Sequence, residues 1–258
     1  MDSLNITLVQ TNPTWENSEV NLKEISHLIS DYTLPTDVFI LPEMFNTGFS
    51  MLPKKLAESM DGQTIQILQQ LSLKKNAAIT GSLMIEENGQ FFNRLVWIEG
   101  GKLTYFYDKR HLFSLVGEDK HFSPGKNPLI FEYKGWKIQT FICYDLRFPV
   151  WCRNKENVDV QIYVANWPEK RIQYWNTLLK ARAVENICYI AAVNRVGKDL
   201  WGNDHNGDSC LVSFNGDTAF LANNLQEIKS FTIYKKDLEA FRVRYPFDKD
   251  KDNFEIYE

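Results

Sequence analysis

Trp136-Lys137-Ile138-Gln139-Thr140-Phe141-Ile142 runs directly into Cys143-Tyr144-Asp145-Leu146-Arg147-Phe148-Pro149. The first seven residues are dominated by β-branched and aromatic side chains and read as a strand; the next seven read as a charged turn closed by proline. In open α/β sheets, ligands bind beyond the C-terminal ends of strands, so a thiol at this turn can reach a pocket. The backbone N–H that follows it can point at a developing oxyanion. The competing reading is a buried structural cysteine, the common state of a free thiol.

The flanks repeat the same style. A Lys134-Gly135 turn joins a strand at 129–133 to the block above. Downstream, a buried strand at 158–165 leads into a helix at 171–187 with Ile172, Trp175, Leu178, Leu179 and Val184 at helical spacing. Strands at 188–193 and 210–214 follow, and 230–234 is a final edge candidate. Upstream, a strand at 4–10 precedes a helix capped by Asn17 or Ser18, with Ile25, Leu28, Ile29 and Tyr32 on one face. A strand at 38–41 ends at Pro42-Glu43, and a helix at 64–75 precedes a strand at 77–85. Asn88-Gly89 is a two-residue hairpin signal between that strand and 91–98, and Gly100-Gly101 turns the chain into 103–107. The order is βαβα with inserted hairpins, which predicts an α/β layered domain with helices outside. No linker rich in Pro, Gly or Ser divides the chain. The expectation is one domain over 1–258, with 235–258 as a C-terminal extension.

With 258 residues, a single core buries roughly 70–75% of the surface of the unfolded chain, so neither disulfides nor a structural metal is required. A hydrophobic fraction of 44% with 24% charged residues describes a globular chain and excludes disorder as its main state. The 29 basic and 33 acidic residues give a net charge of -4, and no Lys/Arg block resembles a phosphate-binding patch, which argues against nucleic acid. The doublets Lys54-Lys55 and Lys74-Lys75 read as solvated faces, and Lys249-Asp250-Lys251-Asp252 as exposed tail. No apolar run approaches the roughly 20 residues of a membrane helix, and the first residues carry no secretory signal. Cys143, Cys152, Cys188 and Cys210 form no CxxC pair and have no His at metal-ligand spacing, so the expectation is free thiols in the cytoplasm. Cys152 falls on a predicted helix, and Cys188 and Cys210 fall within strand patterns; all three read as structural.

Two further strands end in reactive residues. Glu43 follows strand 38–41, and the stretch after it, Met44-Phe45-Asn46-Thr47-Gly48-Phe49, is apolar for a surface loop and suggests that it folds over something. Lys109 follows strand 103–107 in Tyr107-Asp108-Lys109-Arg110-His111-Leu112; its plainer reading is a surface lysine paired with Asp108. Glu118 precedes His121-Phe122-Ser123-Pro124-Gly125 and reads equally as a loop carboxylate. A thiol, a carboxylate and an ammonium gathered at one sheet edge have a specific chemistry. The thiolate attacks an amide carbonyl, the carboxylate takes the thiol proton and later returns it to leaving ammonia, and the ammonium stabilises the oxyanion. No motif ties His27, His111, His121 or His205 to the cysteine as a protease partner.

Leu41-Pro42-Glu43, Asp108-Lys109-Arg110-His111-Leu112 and Ile142-Cys143-Tyr144-Asp145-Leu146-Arg147-Phe148-Pro149 resemble, in order, the three signature blocks of the nitrilase (carbon–nitrogen hydrolase) superfamily, with the resemblance running from Leu4 to about Phe220. It implies a four-layer αββα sandwich, a Glu43–Lys109–Cys143 triad, Glu118 as a second glutamate, no metal or organic cofactor, and a homodimer. Cys-Tyr-Asp-Leu-Arg-Phe-Pro is similar to the amidase branches rather than to true nitrilases. Pro42–Phe49, Ala165-Asn166-Trp167-Pro168, Ala181–Asn186, Asn194-Arg195-Val196-Gly197 and Gly207-Asp208-Ser209 are similar to bacterial omega-amidases. The activity thereby implied is hydrolysis of the terminal amide of short keto-dicarboxylic monoamides, such as 2-oxoglutaramate and 2-oxosuccinamate, through a cysteine thioester. The alternatives are an N-carbamoyl amine or other short aliphatic amide hydrolase and a noncatalytic metabolite-binding protein. Tyr144, Trp167, Phe45 and Arg147 are the candidate substrate contacts, with Arg171 a second cation for a substrate carboxylate. Arg182 and Glu185, on one helix, read as structural.

Overall fold

The computed structural model describes residues 2–256. Its elements are β1 (Ser3–Gln10), α1 (Ser18–Asp31), β2 (Val38–Ile40), α2 (Pro53–Leu56), α3 (Gln63–Lys75), β3 (Ala78–Glu87), β4 (Gln90–Glu99) and β5 (Lys102–Asp108). The second half holds β6 (Ile130–Tyr133), β7 (Trp136–Ile142), β8 (Val160–Ala165), α4 (Ile172–Asn186), β9 (Tyr189–Asn194), β10 (Val196–Lys198) and β11 (Asp204–Asn206). It ends with β12 (Cys210–Val212), β13 (Thr218–Phe220), β14 (Glu227–Tyr234) and α5 (Lys235–Arg244).

Two six-stranded sheets form the centre, in the orders β14-β1-β2-β3-β4-β5 and β13-β12-β9-β8-β7-β6. Each has a parallel triplet, β1-β2-β3 or β7-β8-β9, extended by antiparallel strands on both sides. Period-two alternation sorts the side chains. Leu4, Ile6, Leu8, Val38 and Ile40 join the second sheet's Ile138, Ile142, Ile162 and Val164 in the central core, whereas Val9, Phe39 and Leu41 pack with Ile25 and Ile29 of α1 and Leu68 of α3. On the far side, Trp175, Leu179 and Ala183 bring α4 onto the second sheet. The result is the expected αββα sandwich, and its parallel strands are buried on both faces because helices cover one and the other sheet covers the other.

Local signals hold where the chemistry is local. Asn17 caps α1 by accepting from Val20 N–H at 3.2 Å. Asn88 (φ 53) and Gly89 (φ 76) form the left-handed two-residue turn that closes β3 onto β4, with Glu87 opposite Gln90. The 230–234 candidate is the edge strand β14. Two expectations need correction, and the C-terminal segment gains detail. Cys152 lies in a turn rather than on a helix, its thiol donating to the Asp145 carbonyl at 3.1 Å. Val184 is exposed on α4. The first part of the expected extension is the docked helix α5, where Leu238 is fully buried and the Arg242 guanidinium binds the carbonyls of Val158 and Ile187 and the carboxylate of Asp159. These contacts seal the N-terminal ends of β8 and β9.

Candidate active site

The C-terminal ends of β2, β5, β7 and β8 deliver Glu43, Lys109, Cys143 and Asn166 to one place. Cys143 takes the left-handed conformation (φ 46) at the junction of β7 and a 3-10 turn, Cys143–Arg147. A non-glycine residue held there is a local cost tolerated when neighbours fix it. Asp145 does the fixing. Its buried carboxylate accepts from Ile142 N–H at 3.0 Å, Tyr107 O–H at 2.8 Å and His111 N–H at 2.9 Å, and His111 Nδ1 lies 2.8 Å away. One aspartate thus ties the cysteine turn to the lysine segment. Arg182 adds a bond from α4 to the Leu146 carbonyl at 2.8 Å and pairs with Glu185 at 2.8 Å.

Lys109 is not the surface lysine paired with Asp108. Asp108 binds Arg94 instead, at 2.6 Å, while Lys109 is buried with its Nζ 2.9 Å from Glu43 Oε1 and 2.8 Å from Glu118 Oε2. Its Nζ also stands 5.1 Å from the Phe49 ring, so the apolar loop after Glu43 does fold over the charged cluster. Asn93 Nδ2 donates to Glu43 Oε1 at 2.9 Å and to Glu118 Oε1 at 3.2 Å. Asn166 holds the other side of Glu43, its N–H 2.8 Å from Oε2 and its Nδ2 2.6 Å from the Glu43 carbonyl. Glu118 Oε2 also accepts from Phe113 N–H at 2.6 Å. Two carboxylates and one ammonium are therefore buried with every charge directly hydrogen-bonded, the condition under which buried charge is tolerable.

Electrostatics sets the resting protonation. Burial opposes the Lys109 charge, but Glu118 and Glu43 outweigh it and hold the ammonium well above the ordinary lysine range. Burial raises Glu118; Lys109 pulls it back and Glu43 pushes it up. Burial pushes the Cys143 thiol well above its usual range, Glu43 raises it further, and Lys109 partly offsets both. The cysteine therefore rests as a thiol and needs a base to become a nucleophile.

Above this cluster opens a cavity of about 430 Å³. Tyr144, Arg147 and Trp167 line it, with the Arg147 guanidinium 5.0 Å from the Trp167 ring and 5.1 Å from that of Tyr174. Arg171 also lines it, 5.4 Å from the Phe113 ring. Asn194 fixes Trp167 by accepting its N–H at 2.7 Å and donating to its carbonyl at 2.9 Å. Phe45 does not reach the cavity; it is fully buried between the first sheet and its helices, against Gly81, and Phe49 lines the cavity in its place. The sequence reading also missed Asn93 and Asn166. Asn93 carried a usable signal, a polar residue inside the apolar run of β4. Arg195, Asn203 and His205 likewise line the cavity. Histidine catalysis finds no support: His111 is bound to Asp145 and stacked on Phe148 at 3.7 Å, and His27 and His121 are exposed. Among the described residues no group of His, Cys, Asp and Glu is arranged to hold a metal ion, and no helix is long and apolar enough to cross a membrane.

Residues 5–242 match the carbon-nitrogen hydrolase family. The chain is 37% identical over 255 residues to omega-amidase YafV of Yersinia enterocolitica, covering 98% of this chain and 99% of that one. It is 31% identical over 212 residues to 2-oxoglutaramate amidase of Bacillus subtilis, covering 80% and 82%. A solved CN-hydrolase superfamily protein from Xanthomonas campestris superposes with a TM-score of 0.96 at 39% identity, over 100% of both chains. A match spanning both sheets and every strand end that carries the buried cluster leaves one assignment: this chain belongs to the carbon–nitrogen hydrolase family and is an amidohydrolase of the nitrilase superfamily.

Proposed function

We propose that the protein is an omega-amidase that hydrolyses the terminal amide of short 2-oxo dicarboxylic monoamides, 2-oxoglutaramate above all, to the acid and ammonia. The observation that carries the reading is the buried Glu43–Lys109–Glu118 cluster beside Cys143, at the floor of a cavity whose cationic side chains outnumber its carboxylates. Above the self-compensated floor, Arg147, Arg171 and Arg195 line the walls against the single carboxylate of Asp199. A neutral amide bearing a distant carboxylate fits this balance; its amide meets the cysteine and its carboxylate meets a guanidinium.

The arrangement of these groups supports the following steps. Glu43, held by Asn93, Asn166 and Lys109, accepts the Cys143 proton as sulfur attacks the amide carbon. The oxygen becomes negative and is met by the Lys109 ammonium and the Tyr144 N–H. Collapse of the tetrahedral adduct breaks the C–N bond; Glu43 returns its proton to nitrogen and ammonia leaves, with the acyl group held as a thioester. Glu43 then takes a proton from water, which attacks the thioester, and collapse restores the thiol and releases the acid. Glu118 keeps Lys109 charged and in place. Arg147, ordered between two aromatic rings, receives the substrate carboxylate, with Arg171 as its neighbour. The reading also includes a homodimer in the cytoplasm, supported by the family resemblance and by four free thiols.

Ammonia release from 2-oxoglutaramate, succinamate, glutamine, an N-carbamoyl amine and an aliphatic nitrile, each beside Cys143→Ala, tests the assignment. Turnover of the first two, abolished in a folded Cys143→Ala variant, is the expected result. Cys143-dependent turnover of only the carbamoyl compound or nitrile would move the substrate class, and no Cys143-dependent turnover would overturn the amidase reading.

A further inference from the structure

Tyr107 and His111 stand on either side of Lys109 in the chain, and both are tied to the same buried carboxylate. Tyr107, the next-to-last residue of β5, donates its O–H to Asp145 Oδ2 at 2.8 Å. The His111 N–H and the ring Nδ1 lie 2.9 and 2.8 Å from Asp145 Oδ1. A carboxylate only accepts, so the imidazole meets it as an N–H donor. The ring itself is held by stacking on Phe148 at 3.7 Å. Tyr107 is fixed as well, since its oxygen accepts from Trp151 Nε1 at 3.0 Å and from Arg110 N–H at 3.3 Å. Burial, then the Asp145 charge, raises the phenol well above its usual range, so the O–H stays a donor. From the nucleophile strand, Ile142 N–H reaches Asp145 Oδ2 at 3.0 Å.

Building on the amidase reading, in which Lys109 and the Tyr144 N–H meet the oxyanion, we infer that Asp145 is the positioning residue of the oxyanion site, with His111 as its partner. Glu43 and Glu118 hold the tip of Lys109; Asp145 holds the lysine's backbone against the cysteine turn, from both flanks. The ammonium and the N–H arrive from the ends of two strands, β5 and β7, in different sheets. They serve one oxygen only if their separation is fixed before the reaction, and a misplacement of about 1 Å costs about 10²-fold in rate. The chemistry of the site also demands a carboxylate. Ile142 N–H and His111 N–H are main-chain donors on opposite oxygens of Asp145. An asparagine amide turned either way sets its NH2 against one of them.

The test sets two reactions of the same thiol side by side. One is kcat/KM for whichever amide of the panel above wild type turns over fastest, a reaction that passes through an oxyanion. The other is the second-order rate of alkylation by iodoacetamide, a displacement at a saturated carbon that forms none. Asp145→Asn is expected to lower kcat/KM about 10²-fold, while alkylation stays within about threefold of wild type because the thiol and its base are untouched. At His111 the two variants separate hydrogen bonding from packing. His111→Asn places an amide N–H where Nδ1 stands and is expected to keep turnover within about threefold, whereas His111→Phe keeps the stacked ring, loses the donor and is expected to lose about tenfold. A merely structural role predicts the reverse order, since Phe preserves the packing. That order, or alkylation falling in step with turnover in Asp145→Asn, overturns the inference. If Asp145→Asn does not fold, the His111 pair decides alone. An Asp145→Asn enzyme as active as wild type sinks the positioning claim and leaves the amidase reading standing. Absence of Cys143-dependent turnover in wild type sinks both, and identifies the amidase reading as the one that failed first.

Discussion

The floor of the cavity and its walls treat charge in opposite ways. On the floor, Glu43, Lys109 and Glu118 are buried with each charge answered inside the protein, and Asn93 shares its amide between the two carboxylates. On the walls, Arg147 and Arg171 rest against aromatic rings, and Arg195 binds neutral oxygens. Among the described residues none of these three has a carboxylate in ion-pair contact. Compensated charge is locked in position and serves chemistry that needs fixed geometry. Uncompensated charge is stabilised only when a ligand brings the opposite sign.

Removing the floor's single cation breaks this contrast most severely. Lys109→Met leaves two carboxylates buried together, and the expected cost is about 3–5 kcal/mol of stability with a loss of turnover of about 10²-fold or more. Urea unfolding and ammonia release measure both; a stability loss below about 1 kcal/mol would contradict a compensated cluster. The pH dependence has a definite sign. Lys109 is raised above its ordinary 10.5, so its stabilising contribution is fully present below that pH and is lost as pH rises beyond it. On the alkaline side the gap between wild type and Lys109→Met therefore narrows only in strong alkali.

The second test uses the resting thiol. Because Cys143 is raised well above its usual 9.0, its thiolate fraction grows about tenfold per pH unit through the neutral range. Alkylation by iodoacetamide is expected to accelerate from pH 6 to 9 without levelling off, and a plateau near pH 7 would mean a preformed thiolate. The third test concerns the wall. Arg147→Met is expected to lower the preference for 2-oxoglutaramate over the uncharged amide butyramide by about tenfold or more, chiefly through KM. An unchanged preference would move the carboxylate to Arg171.

The difference between floor and walls also explains what could be read without coordinates. Glu43, Lys109 and Cys143 were legible as candidates because each lies within three residues of a strand end, and a strand announces itself through local composition and turn residues. Glu118 came only with the family resemblance, since nothing local separates it from a solvated loop carboxylate. Phe45 and Phe49 sit four residues apart in one apolar loop. Composition cannot say which faces the core and which the cavity, because the loop reverses at Met44 (φ 44) and Gly48 (φ 74). Cys152 was misplaced because its turn is held from β8 and α4, where the side-chain amides of Gln161 and Asn186 both donate to its carbonyl.

The sequence by itself determined the alternation of strands and helices, the tight hairpins, and the three residue types that meet at the strand ends. Those features depend on neighbours within a few positions, where backbone preference and side-chain periodicity act. Only the tertiary structure decided which partner each charge takes. Lys109 passes over adjacent Asp108 for Glu43, 66 residues away, and Asn166 reaches Glu43 across 123 residues. It also decided that Arg195 and His205 reach the cavity on the β10–β11 hairpin, which no strand pattern had announced. Pairing in a desolvated interior is settled by which groups the packed sheets bring within about 3 Å of one another, and no local pattern encodes that distance.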